Sequence, residues 1–189
     1  MARILVVFGT TEGHTARIAA SVERTLRTEF GADVTIAEPR GVVPDPKDYD
    51  AVLVAGSVHA CRFQKNITEW VRSHAATLKA KPGAFVGVCL AILQREPAVE
   101  AEVQAIVSRF LTRTGWHPTR RITVAGALPY TRYNWLKRWV MKRIVAKAGG
   151  DTDATRDYEY TNWEELRAFS EEFGRLACND SRAEIRMPA

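Results

Sequence analysis

Cysteine is scarce in this chain of 189 residues: there are three, Cys61, Cys89 and Cys178, odd in number and widely spaced. With no Cys-x-x-Cys pair, a disulfide framework and a thiolate metal site are both excluded. Cys89 and Cys178 read as reduced core thiols, and Cys61 has no base beside it in sequence that would make it a nucleophile. No apolar run approaches the roughly 18–20 residues that span a bilayer. Residues 3–8 are too short a run for the core of a secretory signal, so the expected location is cytoplasmic. Between Val103 and Gly150 there is no aspartate or glutamate, yet ten lysines and arginines fall there. One end of the molecule should therefore be basic and the remainder net acidic. Also missing are the Gly-Lys-Ser/Thr of nucleoside-triphosphate loops and the Gly-x-Gly-x-x-Gly of dinucleotide loops.

A hydrophobic fraction of 46% suffices for one full core. One domain is expected over residues 1–178, followed by a polar tail at 179–189. Strand-like apolar runs at 3–8, 33–38, 51–57, 84–90 and 121–127 alternate with helical periods after the first loop and at 66–79, 98–113, 133–147 and 162–176. Such alternation predicts an α/β fold, a doubly wound parallel sheet of five strands with helices on both faces.

The first run passes through Gly9-Thr10-Thr11-Glu12-Gly13-His14-Thr15 into an amphipathic helix. A strand feeding a helix leaves the first helical N–H groups unpaired, where the helix dipole also favours an anion. Gly9 and Gly13 keep the backbone open, and Thr10, Thr11 and Thr15 add hydroxyl donors. The segment resembles the Thr/Ser-x-Thr-Gly-x-Thr loop of flavodoxin-like proteins, which holds the terminal phosphate of flavin mononucleotide (FMN). Thr10, Gly13 and Thr15 match. Glu12 stands where a hydroxyl is usual and is expected to turn outward, because a carboxylate repels a phosphate dianion. Without the resemblance, the same residues also fit an ordinary turn with Thr10 capping the helix. A flavodoxin-like sheet has strand order 2-1-3-4-5.

Ligands of such sheets sit outside the carboxyl ends of the strands, where strand order reverses. The lips of the site should then be residues 57–65 and 91–97. The first lip carries Ser57, Val58, His59, Cys61, Arg62 and Phe63. A flavin ring needs an apolar face, which Phe63 or the backbone near Val58 can supply. It also needs donors where charge gathers on reduction, for which Arg62 and His59 are the candidates. A solvated arginine and a histidine without chemical role are the alternatives. The second lip follows Leu90 with Ala91 and Ile92; it is either a wall for a second substrate or the lead-in to a helix.

Residues 133–147 combine an apolar stripe with cations and two tryptophans, Trp135 and Trp139. Arg132, Lys137 and Arg138 stand with them. This helix suits an anionic membrane surface, with tryptophans at headgroup level and about 1 kcal/mol per cation. It also suits packing on the sheet with solvated charge. Nucleic acid is not expected, since no base-reading element accompanies the charge.

The runs Ala125-Gly126-Ala127-Leu128-Pro129-Tyr130-Thr131-Arg132-Tyr133-Asn134-Trp135, Gly149-Gly150-Asp151-Thr152-Asp153 and Tyr160-Thr161-Asn162-Trp163-Glu164 resemble the bacterial flavodoxin-type, menaquinone-dependent protoporphyrinogen IX dehydrogenases. The likeness covers nearly the whole chain, with His59, Ala60 and Cys61 departing from the family's loop. It implies noncovalent FMN and transfer of electrons from protoporphyrinogen IX to menaquinone or another quinone in haem synthesis, with no catalytic protein nucleophile and no metal. It also implies residence on the cytoplasmic face of the inner membrane. Arg132, Lys137 and Arg138 are then candidates for porphyrin propionates or lipid. An electron-carrying flavodoxin and an NAD(P)H:quinone reductase are the rival classes, and a homo-oligomer is left open.

Overall fold

The computed structural model describes residues 1–94, 96–132, 145 and 153–184. The uniformly apolar runs become buried parallel strands, covered on both faces. They are β1 (Arg3–Gly9), β2 (Asp33–Ala37) and β3 (Ala51–His59), joined after a short antiparallel arm, β4 (Arg62–Phe63), by β5 (Gly83–Val88) and β6 (Arg120–Val124). Their order is β2-β1-β3-β5-β6, with β4 on β3, which is the expected doubly wound sheet plus one arm.

Helix α1 (His14–Phe30) covers one face of the sheet. The second face carries α2 (Lys65–Ser73), α3 (Ala75–Lys79) and α4 (Pro97–Thr114), and α5 (Trp163–Glu184) returns to lie beside α1. Ile18, Val22 and Leu26 of α1 meet Leu166, Phe169 and Phe173 of α5 over Ile4, Val6 and Leu53. Ile67, Trp70 and Val107 fill the opposite core with Leu5, Val54 and Phe85. At the site end a glycine sets how closely the layers approach. A Cβ at Gly9 would lie 2.4 Å from Ile67 Cγ1, so only glycine lets α2 sit this near the end of β1.

Four expectations change. The helix expected at 66–79 breaks at His74, whose ring folds onto Trp70, 4.7 Å between centroids, while its Nδ1 donates to the Trp70 carbonyl at 2.8 Å. β3 runs two residues past Ser57 because it pairs with β4. The fifth expected strand stops at Val124; β7 (Ala127–Leu128) instead pairs antiparallel with β8 (Tyr158–Glu159). Finally, α5 continues to Glu184, through much of the stretch read as a polar tail.

Most of the basic helix read at 133–147, with Trp135, Lys137, Arg138 and Trp139, lies outside the described residues. Arg132 ends a 3-10 turn, Tyr130–Arg132. Val145 is buried with Leu128 and Tyr130 in a third cluster, so the apolar stripe packs on protein at that position. Among the described residues, no helix is long and apolar enough to cross a membrane.

Candidate functional site

The turn after β1 is built around Gly13. It caps α1 at φ 90 and ψ −14, a left-handed conformation that glycine adopts without strain. Its N–H donates to Thr10 Oγ1 at 2.8 Å, which closes the loop. Thr10 therefore does not cap the helix, as the alternative reading had it. No side chain caps α1, so its first N–H groups keep their donors and the positive end of the dipole. Thr15 is 1% exposed, faces the cavity wall, and its hydroxyl makes no hydrogen bond among the described residues. From the far side, Arg40 donates to the Thr10 carbonyl at 3.1 Å.

This loop opens on a cavity of about 360 Å³ at the carboxyl ends of β1, β3 and β5, within the usual range for small-molecule sites. Thr10, Glu12, His14 and Thr15 line it from the loop. Ser57, Val58 and His59 line it from the end of β3, Cys61 from the turn that follows, and Leu90 and Ala91 from the second lip. Thr11 stays exposed at the rim, within 3.5 Å of Gln64 Nε2. Ile92 is half-buried in the 3-10 turn Leu90–Gln94. Arg62 lines a separate groove beyond the β3–β4 turn.

Two sequence-based expectations are corrected. Glu12 does not turn fully outward: it is half-buried, lines the cavity and also lines a neighbouring hollow with Arg17 and Tyr158. Phe63 is no platform for a ring. It is buried in the core, 5.2 Å from the Phe85 ring centroid and 4.9 Å from that of Phe110.

Several contributors had no readable signal. Gln64 Oε1 accepts from the Ser57 N–H at 3.1 Å and its Nε2 donates to Ser57 Oγ, fixing the first lip. His59 Nε2 lies 3.2 Å from the same Oγ. Ala60 and Cys61 both have positive φ, 48 and 58, in a two-residue hairpin turn. Such turns favour Asn-Gly, which is why this one could not be read. Val103 and Ile106, buried on α4, line the cavity as well. Cys89 is a buried wall residue, and burial raises its thiol pKa, which keeps it protonated.

His14 ties the loop to the end of the chain. Its Nε2 is 2.7 Å from Thr161 Oγ1, whose hydroxyl donates to the Ala125 carbonyl at 2.7 Å. Trp163 meets the ring edge-on, and Glu159 receives both Arg17 and the Trp163 indole N–H. Burial lowers the His14 pKa, offset in part by Glu159 and reinforced by Arg17. The neutral ring is therefore favoured in the folded state. In the FMN-free protein, stability is expected to be full above about pH 6.5 and to fall as pH drops from there toward the depressed folded value. Urea midpoints between roughly pH 5.5 and 7.5 should show this fall, and it should shrink in His14→Gln.

The donor set fits FMN: helical N–H groups without a side-chain cap and a Thr15 hydroxyl with no partner among the described residues for a phosphate, beside a largely apolar cavity for a ring. Strand order and site together define a flavodoxin-like flavoprotein. Comparison with known proteins agrees. A flavodoxin-domain family model matches residues 5–155. Among solved structures, a short-chain flavodoxin associated with a bacterial microcompartment superposes with a TM-score of 0.59 at 16% identity, covering 94% of this chain and 99% of that one. A Streptococcus pneumonia TIGR4 flavodoxin gives 0.57 at 18% identity, with the same coverage.

The chain belongs to the flavodoxin family, and within it to the group of the protoporphyrinogen IX dehydrogenases (quinone). The Escherichia coli K12 enzyme of that name is 31% identical over 175 residues, which is 92% of this chain and 96% of the relative. The Leishmania major protein of the same name is 30% identical over 175 residues, 92% of this chain and 75% of its own length.

Proposed function

We propose that this protein oxidises protoporphyrinogen IX to protoporphyrin IX and passes the electrons to a membrane quinone, menaquinone or another, in haem synthesis. The observation that carries this reading is the end-to-end likeness to relatives of that name, at 31% identity across 92% of the chain.

Bound FMN supplies the chemistry, acceptance of a hydride equivalent and its delivery as electrons. Each turn removes two hydrogens from the porphyrinogen and forms one quinol from one quinone. The protein's own part is binding and positioning. The N–H groups at the start of α1, with the hydroxyls of Thr10 and Thr15, hold the phosphate. Ser57, fixed by Gln64, and the β3–β4 turn border the ring on one side, and Leu90 and Ala91 border it on the other. Val58, Val88, Val103 and Ile106 line the wall and exclude water. No side chain need act as a nucleophile.

The cations and tryptophans of the stretch 132–147, Arg132, Trp135, Lys137, Arg138 and Trp139 among them, support attachment to the anionic cytoplasmic face of the inner membrane, where the quinone resides. Steady-state assays test the reading. Anaerobic protoporphyrinogen with FMN-loaded protein is expected to yield fluorescent protoporphyrin only when a menaquinone analogue is present. NADPH is expected not to replace the porphyrinogen as reductant. A preparation with full FMN and no quinone-dependent porphyrin formation would refute it.

A further inference from the structure

A second concavity of about 270 Å³ lies on the other side of the β3–β4 turn from the flavin cavity. Cys61 and Ile106 line both, so the two hollows adjoin at this turn. The sequence assembles the groove from three places. Lys65, Glu69 and Arg72 recur at helical spacing along α2, Arg109 and Arg113 stand one turn apart on α4, and Arg62 closes the end from β4.

The groove therefore carries five cations against one carboxylate, and that carboxylate already pairs with Lys65 at 3.6 Å. Arg62, Arg72, Arg109 and Arg113 form no ion pair among the described residues, and all are exposed. Several other arginines of this surface are paired: Arg120 with Glu172, Arg167 with Glu29 and Glu171, Arg27 with Glu23. Four unpaired guanidinium groups around one concave floor, which includes the buried Phe63 and Phe110, are suited to a ligand with an apolar body and more than one carboxylate.

We infer that this groove seats the propionate side of the tetrapyrrole, with Arg62, Arg109 and Arg113 as carboxylate-binding residues, so that the ring system reaches the flavin cavity past Cys61 and Ile106. The inference rests on the proposed function, because it takes the porphyrinogen as the reductant. It moves the carboxylate contacts away from Arg132, Lys137 and Arg138 to helices α2 and α4. A lipid headgroup shares the anionic chemistry, but a concave groove adjoining the cofactor cavity favours a small ligand over a bilayer surface.

The test uses the FMN-loaded full chain and the fluorescence of protoporphyrin IX. In Arg109→Glu/Arg113→Glu, binding is expected to weaken about tenfold or more, since two attractions become repulsions. Retained FMN should not change. A control with equal charge change outside the groove, Arg24→Glu/Arg121→Glu, should bind as the parent does, and the dimethyl ester of protoporphyrin should bind the parent no better than the acid binds the groove variant.

Equal weakening in the control, unchanged binding in the groove variant, or no binding to the parent would each overturn the inference. So would loss of sedimentation with phosphatidylglycerol vesicles in the groove variant with porphyrin binding intact, which would assign the groove to the membrane. Failure of the two readings is separable. A parent that binds porphyrin through these arginines but turns over no porphyrinogen defeats the proposed function alone, whereas normal turnover with an unchanged KM in the groove variant defeats the groove alone.

Discussion

Replacing Phe63 with alanine is expected to cost about 3–5 kcal/mol of folding stability, the range for losing a buried aromatic side chain. The ring is 8% exposed and packs edge-on against Phe85 and tilted against Phe110. Its Cδ1 would lie 3.1 Å from a Cβ built at Gly56, so the β4 arm is pressed onto β3 with no spare room. Alanine leaves a cavity where β4, α4 and the sheet meet, and leucine should restore most of the loss. Urea denaturation of the FMN-free protein measures the effect. Because Phe63 does not line the flavin cavity, FMN affinity of the folded protein should change by less than about threefold. A tenfold loss of FMN with little change in stability would mean that the ring touches the flavin after all.

Gly13→Val should have the opposite profile. At φ 90 a β-branched residue is strained by about 1–3 kcal/mol. In the empty protein the loop can relax and stability should change little. Binding FMN requires the N–H groups of His14 and Thr15 to stay aimed outward, and the Gly13 N–H to stay on Thr10 Oγ1 at 2.8 Å. The strain then falls on the complex, weakening FMN by about 10- to 100-fold in a fluorescence titration. An unchanged Kd would show that the phosphate is held elsewhere.

These two residues also mark where the sequence was legible and where it was not. The strands could be read because central parallel strands are apolar on both faces, and Ile4 to Val7 and Val52 to Ala55 are short, apolar runs bounded by turn residues. The phosphate loop could be read because glycine and threonine at those spacings have a local physical meaning. Phe63 could not be placed, since its burial depends on a two-residue turn, Ala60–Cys61, that lacks the glycine or asparagine such turns favour. His74 gave no warning that it would break a helix. The acid-free stretch drew attention to residues 133–147, yet two of its cations, Arg109 and Arg113, face Lys65 and Arg72 across a groove that only tertiary packing creates. Gln64, which orders the first lip, stands at a helix start where nothing in the sequence marks a role.

The central claim is that electrons pass from the porphyrinogen through the bound flavin to a quinone. The most direct measurement is the flavin's visible absorbance under anaerobic conditions. With protoporphyrinogen IX added, the FMN-loaded protein is predicted to lose that absorbance, and to recover it when a menaquinone analogue follows. NADPH should leave the spectrum unchanged. Bleaching by NADPH with no response to protoporphyrinogen would contradict the account.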